Sequence, residues 1–178
     1  MSRIGKLAID IPNNIELSFE KNLIIFSSGD SKKYYKLNRE VKAEICNKRL
    51  KLNPANDLPN HFSMYSGMDR SNIKNILTGL HKGFKGVVEI NGVGYKVAIE
   101  KESLVLILGY SHEVFYIPPI GVIVSFEKPN FIVISGSDKT LVGQTLAEII
   151  SFRKTEPYKG KGIKLFGKKI IRKEGKKK

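Results

Sequence analysis

Hydrophobic and polar residues alternate through most of this chain, and a helical rhythm replaces the alternation in two places. Alternation at Ile15-Leu17-Phe19, Leu23-Ile25 and Val41-Ala43-Ile45 predicts half-buried strands, and Asn53-Pro54-Ala55-Asn56-Asp57 predicts a turn-rich loop after them. Ile73, Ile76, Leu77 and Leu80 then fall at i, i+3, i+4 and i+7, the spacing of one apolar helix face. Asp69 or Ser71 is placed to cap the start of that helix, and Gly83 to end it. The second half opens with strand-like sequence from Val87 to Ile99, continued at Leu104 to Leu108, Val114 to Ile117, Val122 to Phe126 and Phe131 to Ile134. A second helix is expected from about Lys139 to Lys154, with Val142, Leu146, Ile149 and Ile150 inward and Asp138 as its cap.

The two halves also echo each other in sequence. Ser18-Phe19-Glu20-Lys21-Asn22-Leu23 returns as Ser125-Phe126-Glu127-Lys128-Pro129-Asn130-Phe131, with Pro129 as a one-residue insertion, while Ile11-Pro12 matches Ile117-Pro118 and Asp30 matches Asp138. Two copies of one module account for this. Strands outnumber helices and short turns join them, which favours antiparallel sheets over a βαβ array. The expected fold is α+β: two tandem similar modules, each a small, mainly antiparallel sheet covered by one helix, plus a basic C-terminal tail. The boundaries fall at residues 1–83, 84–154 and 155–178.

With 178 residues and a hydrophobic fraction of 41%, the chain can build packed cores. Its single cysteine, Cys46, excludes an intramolecular disulfide framework and is expected to be a small buried hydrophobe. No basic-then-apolar leader opens the sequence, and the aliphatic run Leu104 to Leu108 is far short of the ~20 residues that span a bilayer. The expectation is a soluble, cytoplasmic protein without a membrane partner.

Charge changes the picture most. Twelve of the 31 Lys and Arg and two of the 17 acids lie from Arg153 onward, a net of +10 out of +14; the first 152 residues carry 19 basic and 15 acidic side chains. So local a cationic segment suits a polyanion, because each phosphate neutralised releases counterions. In Glu156-Pro157-Tyr158-Lys159-Gly160-Lys161-Gly162-Ile163-Lys164 the glycines remove bulk beside the lysines, which would let backbone amides approach phosphate, and Tyr158 offers a ring for stacking. A solvated, disordered tail is the alternative reading of the same charges.

Other motifs are weaker. Gly92-Val93-Gly94 follows an apolar strand but lacks the third glycine and the helix of a dinucleotide loop, so no cofactor is expected, and a glycine pair within a strand more often marks a bulge or close backbone approach. His61, His81 and His112 have no neighbours at metal-ligand spacing, so no metal is expected, and no segment combines nucleophile, base and orienting group, so no catalytic residues are assigned and no enzyme is expected. Gly109-Tyr110-Ser111-His112-Glu113 is either a solvated hairpin tip or a loop presenting a hydroxyl, an imidazole and a ring to RNA. Arg3 and Lys6 in Ser2-Arg3-Ile4-Gly5-Lys6 are two cations flanking a glycine near the amino terminus, able to pin phosphate.

Several separated segments together resemble bacterial large-subunit ribosomal protein six. They are Ser2 to Lys6, Gly83-Phe84, Glu89-Ile90-Asn91-Gly92-Val93-Gly94-Tyr95-Lys96, Leu108 to His112, Gly136-Ser137-Asp138-Lys139 with Val142-Gly143-Gln144, and Glu156 to Lys164, in family order over essentially the full length. The resemblance implies a non-enzymatic protein of the large ribosomal subunit that binds large-subunit rRNA near the stalk base and factor-binding region. Its implied partners are that rRNA, neighbouring large-subunit proteins at the stalk base and, by proximity, translation factors, with no obligate homo-oligomer. By position it points to Tyr158, Lys159, Gly160, Lys161, Gly162 and Lys164 as rRNA contacts, then Arg153, Lys154, Ser111 and His112, with Lys168, Lys169 and Arg172 in the basic tail and Arg3 and Lys6 at the start. The chain departs from the family pattern at Thr155 (usually proline), Lys164-Leu165 (usually arginine-tyrosine), Glu113 (proline expected) and Ser27 to Ser31, where a Gly-Pro-Lys-Gly turn is usual. Lys in place of Arg keeps charge but loses the planar fork. On charge alone, a free-standing nucleic-acid-binding or architectural protein is the alternative; an enzyme would need a constellation assembled across the modules.

Overall fold

The computed structural model describes residues 5–29, 31–55, 62–100, 103–128 and 130–175. Arg3, Asp30, Asn56, Asp57, His61 and Pro129 lie outside the described residues. The chain divides into two compact units, Met1–Gly83 and Phe84–Lys178.

The first unit runs β1 (Ile9–Asp10), β2 (Glu16–Glu20), β3 (Leu23–Ser28), β4 (Ser31–Lys36), β5 (Val41–Cys46), β6 (Arg49–Pro54) and α1 (Phe62–His81). Its strands form two antiparallel three-stranded sheets, β2-β3-β4 and β1-β6-β5. Alternation sends Ile24 and Phe26 of β3 and Leu50 and Leu52 of β6 to a common core with Ile73 and Leu77 of α1. Residues 53 and 54, expected in a loop, complete β6 opposite Lys42 and Val41. Asn47 and Lys48 turn the β5-β6 hairpin with φ of 51° and 58°, the left-handed pair such a turn demands. Cys46 beside that turn is exposed rather than buried, because the strand's final pleat points it away from the core.

Helix α1 begins well before the expected caps. Asp69 lies inside it, fully buried, and accepts from the Tyr35 hydroxyl at 2.8 Å and from Asn38 Nδ2 at 2.7 Å. Ser71 is likewise internal and donates to the Gly67 carbonyl. Gly83 follows the helix with φ of 70°, the left-handed geometry expected of its terminator.

The second unit runs β7 (Phe84–Asn91), β8 (Lys96–Glu100), β9 (Ser103–Ile107), β10 (Val114–Tyr116), β11 (Val122–Lys128), β12 (Phe131–Gly136), α2 (Lys139–Phe152) and β13 (Gly162–Leu165). The expected strand from Val87 to Ile99 is in fact two, β7 and β8. Gly94 takes φ of 81°, and the Tyr95 ring folds so closely over Gly92 that a Cβ there would stand 2.5 Å from it, so the glycine pair makes a turn rather than a bulge. Strands β10-β9-β8 form one sheet and β11-β12-β7-β13 the other, all pairs antiparallel. Helix α2 starts at its expected cap, Asp138, whose carboxylate accepts from the Thr140 amide at 2.9 Å. Val142 and Ile149 are buried in the core while Leu146 and Ile150 pack against it. Tyr116 of β10 donates to Glu148 of α2 at 2.5 Å, tying the three-stranded sheet to the helix.

The two units share one plan: a first strand, a three-stranded meander, a hairpin whose second strand pairs with the first strand, then a helix. In that plan β5-β6 corresponds to β11-β12, whereas the sequence echo aligns β2-β3 with β11-β12. The echo therefore joins hairpins that are not equivalent. Both pair two apolar strands, the first of each carrying Ser-Phe-Glu near its end, and that shared chemistry makes them alike. Strand β13 is an addition to the second unit alone among the described residues.

Candidate nucleic-acid interface

The segment after α2 is ordered by its own backbone and by β7. The Ile163 amide donates to the Arg153 carbonyl at 2.8 Å, Glu156 N to Lys161 O at 2.8 Å and Gly160 N to Glu156 O at 3.0 Å, closing a compact loop over 153–163. Thr155 Oγ1 adds a bond to the Ile163 carbonyl at 3.0 Å. Beyond it, β13 pairs with β7 from Gly162 opposite Asn91 to Leu165 opposite Val88. Ile163 is fully buried with Val88, Ile132 and Ile149. The lysine-rich segment is thus anchored by a core residue, not trailing in solvent.

The glycines serve this loop more than they serve an anion. A Cβ at Gly162, where φ is 130°, would stand 2.7 Å from the Lys154 carbonyl oxygen and from Thr155 Cα. The Gly160 amide, which the sequence offered to phosphate, is spent on Glu156, and the Arg172 guanidinium lies 3.4 Å from where a Gly160 Cβ would be. Tyr158, Lys159 and Lys161 project from the loop exposed.

Lys164 is differently placed. Its Nζ is 2.9 Å from Glu89 Oε2, with both side chains only 20% exposed, and Asn91 Nδ2 donates to Glu89 Oε1 at 3.0 Å. Burial opposes ionisation of Glu89, but the bonds from Lys164 and Asn91 and the lysine's charge outweigh it and hold the carboxyl below its usual range. The described salt bridges are this one and Arg49–Asp10 in the first unit.

The chain after β13 turns back over the sheet edge. Phe166 N bonds to Val87 O, the Phe166 ring meets Phe131 edge-on at 5.7 Å, and Lys173 N reaches Pro157 O at 3.0 Å. This leaves a groove of about 820 Å³ beside α2, its floor Leu146, Ile150, Ile163 and Leu165 and its rim Lys154, Lys168 and Lys169. A second hollow of about 500 Å³ lies between Asn91, Gly160, Lys168 and Arg172. Lys168 and Lys169 are exposed along both, and Arg172 along the second.

The loop between β9 and β10 meets the end of α2. Tyr110 and His112 stack with ring centroids 5.9 Å apart, the Arg153 guanidinium carbon lies 4.7 Å from the Tyr110 centroid, and the Tyr110 hydroxyl donates to the Phe152 carbonyl at 2.9 Å. Ser111 and His112 are exposed. Hydrogen bonding to Tyr110, then the charge of Tyr110 and of Tyr95, push the already high pKa of Arg153 further up.

Of the expected contacts, the structure sets Arg153 and His112 each against the Tyr110 ring, Gly160 beside Arg172, and Lys154 with Lys168 and Lys169 on the rim of one groove, all in the second unit. Lys6 is exposed in the first unit beside Gly5, which is buried against Ser66 of α1; Arg3 is not described. The sequence offered the Tyr110 ring to RNA, but not its stacking with Arg153, which comes from the end of α2. Glu89 stands outside the expected set: it lies 75 positions from its lysine, and nothing short of the β7-β13 register reveals it.

Among the described residues no group of three His, Cys, Asp or Glu is arranged to hold a metal, and no helix is long and apolar enough to cross a membrane. Residues 91–165 match the family model described as ribosomal protein L6. The chain is 42% identical over 178 residues, all of both chains, to "Large ribosomal subunit protein uL6" of Chelativorans sp. (strain BNC1). It is 44% identical over the same full span to the protein of that name from Bartonella henselae, and 40% to that from Rhizobium rhizogenes.

Proposed function

The chain belongs to the L6 family of large-subunit ribosomal proteins, and from that premise we propose that it binds folded large-subunit rRNA through the second unit, near the stalk base. It is a structural protein of the large ribosomal subunit of the cytoplasmic ribosome, not an enzyme. The observation that carries the rRNA reading is the anchored basic loop: Ile163 and the β13 ladder hold Lys159, Lys161, Lys168 and Lys169 exposed on one unit with no described acidic partner. Cations held this way fit phosphates at fixed positions, so the contacts position the protein by backbone and shape rather than by base sequence.

Lys164 supports this indirectly by pairing with Glu89, and Tyr158 offers a ring. Neighbouring proteins at the stalk base, and translation factors by proximity, are the further partners of this reading.

The test is sedimentation of lysate through sucrose gradients at moderate and high salt, following this chain. It should co-migrate with the large subunit and stay there at high salt, since shape contacts survive screening that weakens charge alone. Recovery at the top of the gradient at both salts would overturn the reading in favour of a free nucleic-acid binder.

A further inference from the structure

Resting on that reading, we propose that Tyr110 is a positioning residue that joins the β9-β10 loop to the end of α2 as one composite site for an RNA backbone phosphate. Arg153 is the group that touches the phosphate, and His112 and Ser111 complete the site. An arginine on a surface ordinarily samples many rotamers and loses that freedom on binding. Here the loss is already taken. The backbone of Arg153 is pinned by Ile163 N to its carbonyl at 2.8 Å, and its guanidinium is stacked 4.7 Å from the Tyr110 centroid.

Tyr110 is itself fixed at two points. Its hydroxyl donates to the carbonyl of Phe152, one of the last α2 carbonyls that lack a partner within the helix. Before it, Gly109 takes φ of 73° with the Tyr95 ring packed where a Cβ would come within 3.2 Å. The tyrosine therefore transmits the helix position to the loop, and the loop position to the arginine.

The geometry also selects the ligand. The Tyr110 ring is engaged by both Arg153 and His112, so it is already stacked rather than bare. Beyond the side-chain bonds that Arg153 makes to Tyr110 and Tyr95, what remains to offer are the other guanidinium N–H groups, the imidazole and the exposed Ser111 hydroxyl. Donors of this kind suit phosphate oxygens, and the five N–H groups of a guanidinium exceed what the two tyrosines take up.

The experiment measures binding of the full chain to a transcript of large-subunit rRNA across a salt series, for wild type, Arg153→Gln, Tyr110→Leu, Tyr110→Phe and the Tyr110→Leu/Arg153→Gln double variant, with a melting curve for each. Arg153→Gln should weaken binding about tenfold and lower the salt slope by about one. Tyr110→Leu should reproduce most of that loss while the second unit still melts cooperatively, and the double variant should be no weaker than Arg153→Gln alone. Tyr110→Phe keeps the stacked ring but cuts the tie to the Phe152 carbonyl, and should fall between wild type and Tyr110→Leu. Tyr110→Leu binding as tightly as wild type, or its loss adding in full to that of Arg153→Gln, would overturn the positioning role. Wild type that fails to prefer rRNA over an unrelated duplex would instead remove the premise itself.

Discussion

A methyl group added at residue 162 has nowhere to go. The Lys154 carbonyl and Thr155 Cα stand 2.7 Å from its position, both are backbone, and φ is 130°. Gly162→Ala should therefore destabilise the second unit by about 2 kcal/mol or more, read from its thermal unfolding. Gly143 is the converse, an α2 residue whose added Cβ meets nothing within 4 Å, and Gly143→Ala should stabilise by about 0.5–1 kcal/mol. In the first unit the critical side chain is Asp69. Its removal by Asp69→Ala strands the Tyr35 hydroxyl and the Asn38 amide, for an expected cost of about 3 kcal/mol. Tyr35 itself is raised to about 12, chiefly by burial and then by Asp69 against the opposing bond from Asn72. The folded state thus holds the phenolic proton more tightly than the unfolded chain. That stability is full below the ordinary tyrosine range and is lost as pH rises through about 12, a loss that Tyr35→Phe should abolish in alkaline melts. Asp138 could be read from sequence because capping is local, its bond reaching only to Thr140 two positions on. Asp69 could not, because its partners, Tyr35 of β4 and Asn38 just after it, are over thirty residues away.

At the scale of elements, the decisive one is β13. Its pairing with β7 brings Lys164 to Glu89, whose folded carboxyl lies below its usual range. The stability this pair contributes is present above the ordinary carboxylate range and disappears as pH falls through the folded value. Wild type should therefore melt above Glu89→Gln at neutral pH, and the gap should close on acidification. An unchanging gap would mean the pair contributes packing rather than charge. The strand escaped the sequence because its pattern, Gly-Ile-Lys-Leu between glycines and lysines, carries the marks of a flexible cationic loop; only Ile163 hints at a core position. Strand β4 escaped for a related reason, since Ser31-Lys32-Lys33-Tyr34-Tyr35-Lys36 has polar residues on most positions and shows its inward side only at Tyr35. The first turns of α1 were hidden because Ser66 and Asp69 are buried polar residues, and periodicity counts apolar ones. Helix α2, with an apolar face throughout and a local cap, was readable from its start, and it stops at Phe152, two residues short of the expected Lys154.

Across the whole molecule, each unit carries its own core. Ile24, Phe26, Leu50 and Ile73 belong to one cluster and Val88, Ile132, Ile149 and Ile163 to another. Residues 84–178 expressed alone should melt cooperatively and keep most of the rRNA affinity and salt slope of the full chain, while 1–83 should fold and bind weakly. That division also governs how the basic segment is tested. Cutting before Thr155 removes the lysines, but it also removes Ile163 from the core and uncovers the edge of β7, so lost assembly would mix unfolding with lost contacts. Replacing Lys159, Lys161, Lys168 and Lys169 by alanine leaves β13 in place. Their exposure predicts an unchanged melting temperature, and each that meets a phosphate should lower the salt slope by about one. A slope that stays at the wild-type value would assign the rRNA contact to Arg153 and its neighbours, and a slope that falls by all four would place it on the loop and tail.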